Sequence, residues 1–141
     1  MIGILVLGQK DVAEGLIRAV EHTLGARPPA IVAVGIDYEE TPEQIGERIS
    51  KQLARADQGD GVLILADVFG TTHTNVACRM LKPGRVELVS GASLPMLLRT
   101  LTYRKLKMPE LIDRTLTGGF NGIICATRAK RDSKPKRKAR R

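Results

Sequence analysis

Short, unbroken apolar runs separated by helix-length amphipathic stretches constrain this chain more than any other feature. Residues 2–7 (IGILVL), 30–36 (AIVAVGI) and 61–66 (GVLILA) carry no polar side chain. Strands built from them need cover on both faces, as in the parallel sheets of α/β domains. The intervening segments have a different period. Asp11 precedes Ala13, Leu16, Ile17, Val20 and Leu24, spaced by three and four along one face of a helix that ends at Gly25. Thr41-Pro42-Glu43 opens a second helix reaching about Asp57, with Thr as N-cap and Pro in the first position. A third, from about Thr74 to Leu81, follows the turn DVFGTTHTN. Residues 86–90 (VELVS) form another strand, and Ser93 caps a helix through Leu101. Met108-Pro109 begins a helix that stops at Gly118-Gly119, and GIICA, about residues 121–126, closes the domain as a last strand. Parallel strands need helix-length crossovers, so the sequence predicts a three-layer α/β domain with an open, mostly parallel sheet and helices on both faces.

Charge divides the chain in two. Residues 128–141 (RAKRDSKPKRKARR) hold nine Lys or Arg against one Asp, leaving 14 basic and 14 acidic residues before them. The prediction is a neutral domain over 1–127 and a disordered basic tail over 128–141, able to touch polyanions such as nucleic acid or an anionic membrane surface, or serving only to solubilise. With aromatic residues at 3% and no Trp, base-stacking platforms are not available in number. No apolar stretch approaches the roughly 20 residues of a membrane span, and the first run has neither a basic segment before it nor a cleavage site after it. The expectation is a soluble protein whose first apolar run is a strand. Cys78 and Cys125 lack metal-ligand spacing and are expected to be buried core thiols; no metal or cofactor is expected.

In such sheets ligands sit beyond the carboxyl ends of the strands, near a reversal of strand order. That points to Gly8 to Asp11, Asp37-Tyr38, Asp67 to Asn75, and Gly91 to Ser93. Asp67 ends the third run, and Gly70, Thr71, Thr72, His73 and Thr74 lead into a helix start, where free N–H groups favour an anion. The same threonines could simply cap that helix. Neither a phosphate loop of the G-x-x-x-x-G-K-[ST] type nor a G-x-G-x-x-G turn occurs, so nucleotide binding has no support.

Taken together, ILADVFGTTHTNVACRML, VELVSGASLPMLLRTLTYR and TGGFNGI resemble the IIA component of mannose-type phosphoenolpyruvate-dependent sugar phosphotransferase systems, whose motifs run D-x-F-G-G-[ST]-P-x-N and G-[VA]-N-L-P-M-L. The resemblance covers residues 1 to about 127. It implies a cytoplasmic homodimer whose last strand, about 121–126, is antiparallel and exchanged with the partner's sheet. It also implies a phosphocarrier in which a histidine in a T-H-G turn after the first strand takes phosphate from HPr and passes it to a IIB component, an aspartate matching Asp67 orienting the ring. Here that turn reads Gly8-Gln9-Lys10-Asp11, and neither Gln9 nor Lys10 can form a labile phosphohistidine. Asp11 is more naturally a helix cap. Two roles follow. One is regulatory, with partners docking on a rim formed by Gln9, Lys10, Gly70, Thr71 and Thr72 around Asp67. The other is phosphotransfer through His73, which stands where the family has proline and must turn toward Asp67 to act; as an exposed loop residue it would do nothing. Lys10 is either solvated or paired with Asp67. His22 reads as a surface residue of the first helix. A dimeric scaffold acting through the basic tail is the remaining reading.

Overall fold

The three apolar runs and VELVS become strands in the computed structural model, which describes residues 1–128: β1 (Gly3–Gln9), β2 (Ile31–Ile36), β3 (Val62–Ala66) and β4 (Val86–Ser90). All pair in parallel, in the order β2-β1-β3-β4. The helices are α1 (Lys10–Leu24), α2 (Pro42–Ala56), α3 (Thr72–Cys78), α4 (Leu94–Tyr103) and α5 (Met108–Asn121). β1 alternates strictly. Ile4 and Val6 pack toward Ala13, Ile17 and Val20 of α1, Leu97 of α4 and Leu111 of α5. Leu5 and Leu7 pack toward Ile45 and Ile49 of α2 and toward Val76 and Ala77 of α3. Three layers result, and right-handed crossovers explain the sorting: the chain moves one way from β1 to β2 and the other way from β3 to β4, so α1 and α3 fall on opposite faces.

Helix ends follow local chemistry. Thr41 and Gln44 form a reciprocal capping box on α2, and Ser93 Oγ accepts the Met96 N–H of α4. α1 ends at Gly25, which adopts φ 81°. Its start differs from expectation: Gln9, not Asp11, is the N-cap, its side-chain oxygen accepting the N–H groups of Asp11 and Val12. α3 likewise begins at Thr72, earlier than the expected Thr74, because Thr71 caps it.

The expected last strand is not formed within the chain. α5 runs on to Asn121, and the N–H groups of Gly122 and Ile123 bond back to Gly118 and Phe120 rather than to a strand. Gly118 and Gly119 do not stop the helix; they let it approach α4. A Cβ at Gly118 would lie 2.5 Å from Arg99 Cβ, and one at Gly119 would lie 2.8 Å from Met96 Cε. Between the two helices the hydroxyls of Thr100 and Thr115 share a buried 2.8 Å hydrogen bond. Phe120, Ile123 and Ile124 are left exposed. Neither cysteine is a buried core thiol: Cys78 is partly covered, and Cys125 is exposed, its segment pairing with no strand among the described residues. The predicted tail lies outside the described residues from 129 onward. Among the described residues no helix is long and apolar enough to cross a membrane.

The amino ends of the strands are closed by one buried cation. Arg104, at the end of α4, donates from Nε to Ile2 O (2.9 Å), from Nη1 to Pro29 O (2.6 Å) and from Nη2 to Ala30 O (2.7 Å). It makes no carboxylate pair among the described residues; carbonyl dipoles alone replace its water. Arg104→Met keeps the stem but strands these acceptors, and should lower the unfolding free energy by about 2–4 kcal/mol. Urea denaturation checks this: a falling midpoint at constant slope is expected, and an unchanged midpoint would refute the clamp.

Candidate functional site

β1 and β3 are neighbours, yet the chain leaves them in opposite directions, so a crevice opens between their carboxyl ends. Asp67 stands in it. Its N–H continues the ladder to Leu7 O, and its side chain turns across to the end of β1, where Oδ2 accepts the Gln9 N–H at 2.9 Å. Gly8 permits that approach, since a Cβ there would sit 2.8 Å from both Cγ and Oδ2 of Asp67. Oδ1 accepts the Val68 N–H at 2.7 Å and lies 2.9 Å from Nε2 of His73.

His73 is aimed by its helix start. Thr71 Oγ1 accepts the Thr74 N–H, Thr74 Oγ1 accepts the Thr71 N–H, and Thr74 is fully buried. Gly70 makes the preceding bend at φ 88°, in the left-handed region that favours glycine. His73 thus meets the geometric condition set for it: the ring faces Asp67 and is only 12% exposed.

Burial pushes the Asp67 pKa up, but the His73 hydrogen bond, the N–H groups of Gln9 and Val68 and the imidazole's charge together outweigh it, so the net shift is downward. Asp67 and His73 line a cleft of about 400 Å³ together with Gln9, Thr71 and Thr72. The loop after β2 forms its other wall. Tyr38 is almost fully exposed there, and Glu40 is held by Arg48, whose Nη1 lies 2.6 and 2.8 Å from the two carboxylate oxygens and also donates to Gly35 O. The Glu40–Arg48 wall was not anticipated, because the pairing depends on where the β2 loop folds back over α2. Val68, which lines the cleft, is exposed, and so is Phe69 next to it in the chain.

Other candidates fall elsewhere. Lys10 is exposed at the start of α1 and forms no ion pair with Asp67, so of its two readings the solvated one holds. Asp11 is exposed in the same turn. His22 is exposed in the last turn of α1. Ser93 serves as a cap outside the cleft. A groove of similar size, about 440 Å³, runs along β2 between α1 and α2, where Glu14 faces Arg18 and Glu21 faces Arg27. Its charges are largely matched. Among the described residues no three His, Cys, Asp or Glu side chains gather in a way that could hold a metal ion.

An open parallel α/β sheet with a carboxylate–imidazole pair in the crevice at its strand-order reversal defines a class of small domains that handle a ligand or partner at one sheet end. Comparisons with known proteins identify the family. The family described as the PTS system fructose IIA component matches residues 3–116, and the chain belongs to this family. It is 35% identical over 117 residues to the PTS system mannose-specific EIIAB component of Escherichia coli K12, an alignment covering 79% of this chain and 35% of that protein. The chain therefore spans about a third of the length of such relatives. Its fold is similar to the phosphotransferase system component EIIA from Streptococcus agalactiae, with a TM-score of 0.80 at 19% identity over 90% of this chain and 98% of that one. It is also similar to the PTS IIA protein associated with the fucose utilization operon of Streptococcus pneumoniae, with a TM-score of 0.79 at 22% identity over 90% and 94%.

A depressed folded-state pKa means that the Asp67 carboxylate stabilises the fold above the ordinary aspartate range near ~4, and that this is lost as pH falls through the folded value. Asp67→Asn should therefore cost about 1–2 kcal/mol at neutral pH, with the gap to the parent closing below about pH 4. Urea midpoints of both proteins across that range measure it; a gap independent of pH would contradict the assignment.

Proposed function

We propose that the chain is a regulatory IIA-type protein of a phosphoenolpyruvate-dependent sugar phosphotransferase pathway, acting in the cytoplasm and docking an HPr-like phosphocarrier or a IIB-like protein at this cleft. One observation carries the reading: large apolar side chains, Tyr38, Val68 and Phe69, stand exposed around a cleft whose floor is a satisfied carboxylate–imidazole pair. Isolated exposed apolar residues are ordinary, but a cluster beside a cleft that itself has an apolar lining, Ile36 and Ile45 included, fits a protein partner. Gln9 and Lys10 occupy the turn where the family resemblance leads one to expect the phosphorylated histidine, and the Gln9 amide is committed to capping α1. That supports a docking and sensing role over throughput to a sugar permease. Of the proposed rim, Gln9, Thr71 and Thr72 line the cleft, and Lys10, Gly70 and Phe69 adjoin the lining residues in the chain. The exposed Phe120, Ile123 and Ile124 fit a homodimer in which residues 121–126 lie on a second copy.

Titration calorimetry against HPr and the IIB protein of the same cell tests the docking. Lys10→Glu and Phe69→Ala should each weaken binding by roughly tenfold or more, while truncation after residue 127 leaves it intact. Unchanged affinity in Lys10→Glu, Phe69→Ala and Asp67→Ala would defeat the reading. Binding that disappears with the tail, and shows a steep salt dependence, would instead favour a scaffold contacting polyanions through residues 128–141.

A further inference from the structure

We propose that His73 Nδ1 is a phosphoryl acceptor, taking the group from the phosphohistidine of the carrier docked at the cleft. The proposal rests on the docking reading and adds a chemical event to it.

Both oxygens of Asp67 receive N–H donors, from Gln9 on one and Val68 on the other, the pattern of an ionised carboxylate that can only accept. The 2.9 Å contact from His73 to Oδ1 then requires the hydrogen on Nε2. In the neutral ring the lone pair is left on Nδ1, the nucleophilic position. Among the described residues Nδ1 has no hydrogen-bond partner, so the orientation that occupies Nε2 leaves the other nitrogen uncommitted. The Thr71–Thr74 box and buried Thr74 hold the backbone on either side, so the ring is presented from a fixed helix start rather than a wandering loop.

The turn after β1 and the second histidine are placed otherwise. Gln9 caps α1, Lys10 is exposed and away from Asp67, and His22 is on the far end of α1.

The transfer balances without a further reactant. The Nδ1 lone pair of neutral His73 attacks phosphorus, the P–N bond of the donor breaks, and the donor imidazole leaves with the bonding pair. His73 then carries the phosphoryl group on Nδ1 and keeps its hydrogen on Nε2, so the ring is cationic. Asp67 offsets that charge, as an orienting carboxylate does for an imidazolium. Of the other carboxylates along the cleft, Glu40 is already paired with Arg48, and Asp37 is exposed to solvent.

The test is the intact mass of the full chain after incubation with phosphoenolpyruvate, enzyme I and HPr of its own cell, with binding to HPr measured in parallel. One acid-labile phosphoryl group is expected on the parent and on a His22→Ala control, and none on His73→Ala of unchanged circular dichroism. Asp67→Asn, which preserves size but cannot hold the tautomer as a carboxylate does, should slow labelling by roughly tenfold or more. Phosphorus NMR should give the Nδ1-linked form. HPr binding without a mass gain, a phosphate that survives in His73→Ala, or an Nε2-linked product would overturn the proposal while leaving docking intact. Loss of both binding and labelling would overturn the docking reading and this proposal with it.

Discussion

The Asp67 carboxylate joins the end of β1, the turn after β3 and the first turn of α3. The end of β1 lies 58 residues from Asp67 in sequence and meets it because β1 and β3 are paired neighbours in the sheet. Each bond to the carboxylate replaces water lost on burial, so the charge is tolerated where an unpaired one would not be. Remove it and Gln9 loses an acceptor at a strand end, while the imidazole loses the group that fixes its hydrogen. Gly8 is part of the same device, because any side chain there would occupy the carboxylate's place.

The opposite end of the sheet is closed by different chemistry. Arg104 gathers carbonyls from the amino ends of β1 and β2, and the glycines of α5 let that helix lie close on α4. The result is a scaffold rigid at its base, with its exposed loops and functional groups at the carboxyl end. Such a division suits a protein whose partners approach one end, since the rim can change side chains without disturbing the clamp below.

Much of this was legible in the sequence, for identifiable reasons. Continuous apolar runs such as GVLILA leave no choice but a strand covered on both sides, and Thr41-Pro42 and Ser93 cap their helices as their chemistry requires. Asp67 was legible because it ends the most apolar run and begins a turn. Errors arose where one residue type serves two ends. Gly118-Gly119 looked like a helix stop but is a packing surface, visible only once α4 is in place. GIICA has the composition of a strand, yet pairing needs a neighbouring edge, and composition does not say whether the same chain supplies one. The direction of Lys10 and His73 could not be read at all. Lys10 turns outward because β1 continues through Gln9 before the helix begins, and His73 turns inward because Thr71, not Thr74, caps α3.

On this reading Asp67 sets the state of the His73 ring. Nitrogen-15 NMR of the imidazole in the unphosphorylated protein, at a pH where the ring is neutral, tests it most directly. A single Nε2–H tautomer with an unprotonated Nδ1 is expected, and averaged tautomers in Asp67→Ala. A ring carrying its hydrogen on Nδ1, or one that averages both forms in the parent protein, would contradict it.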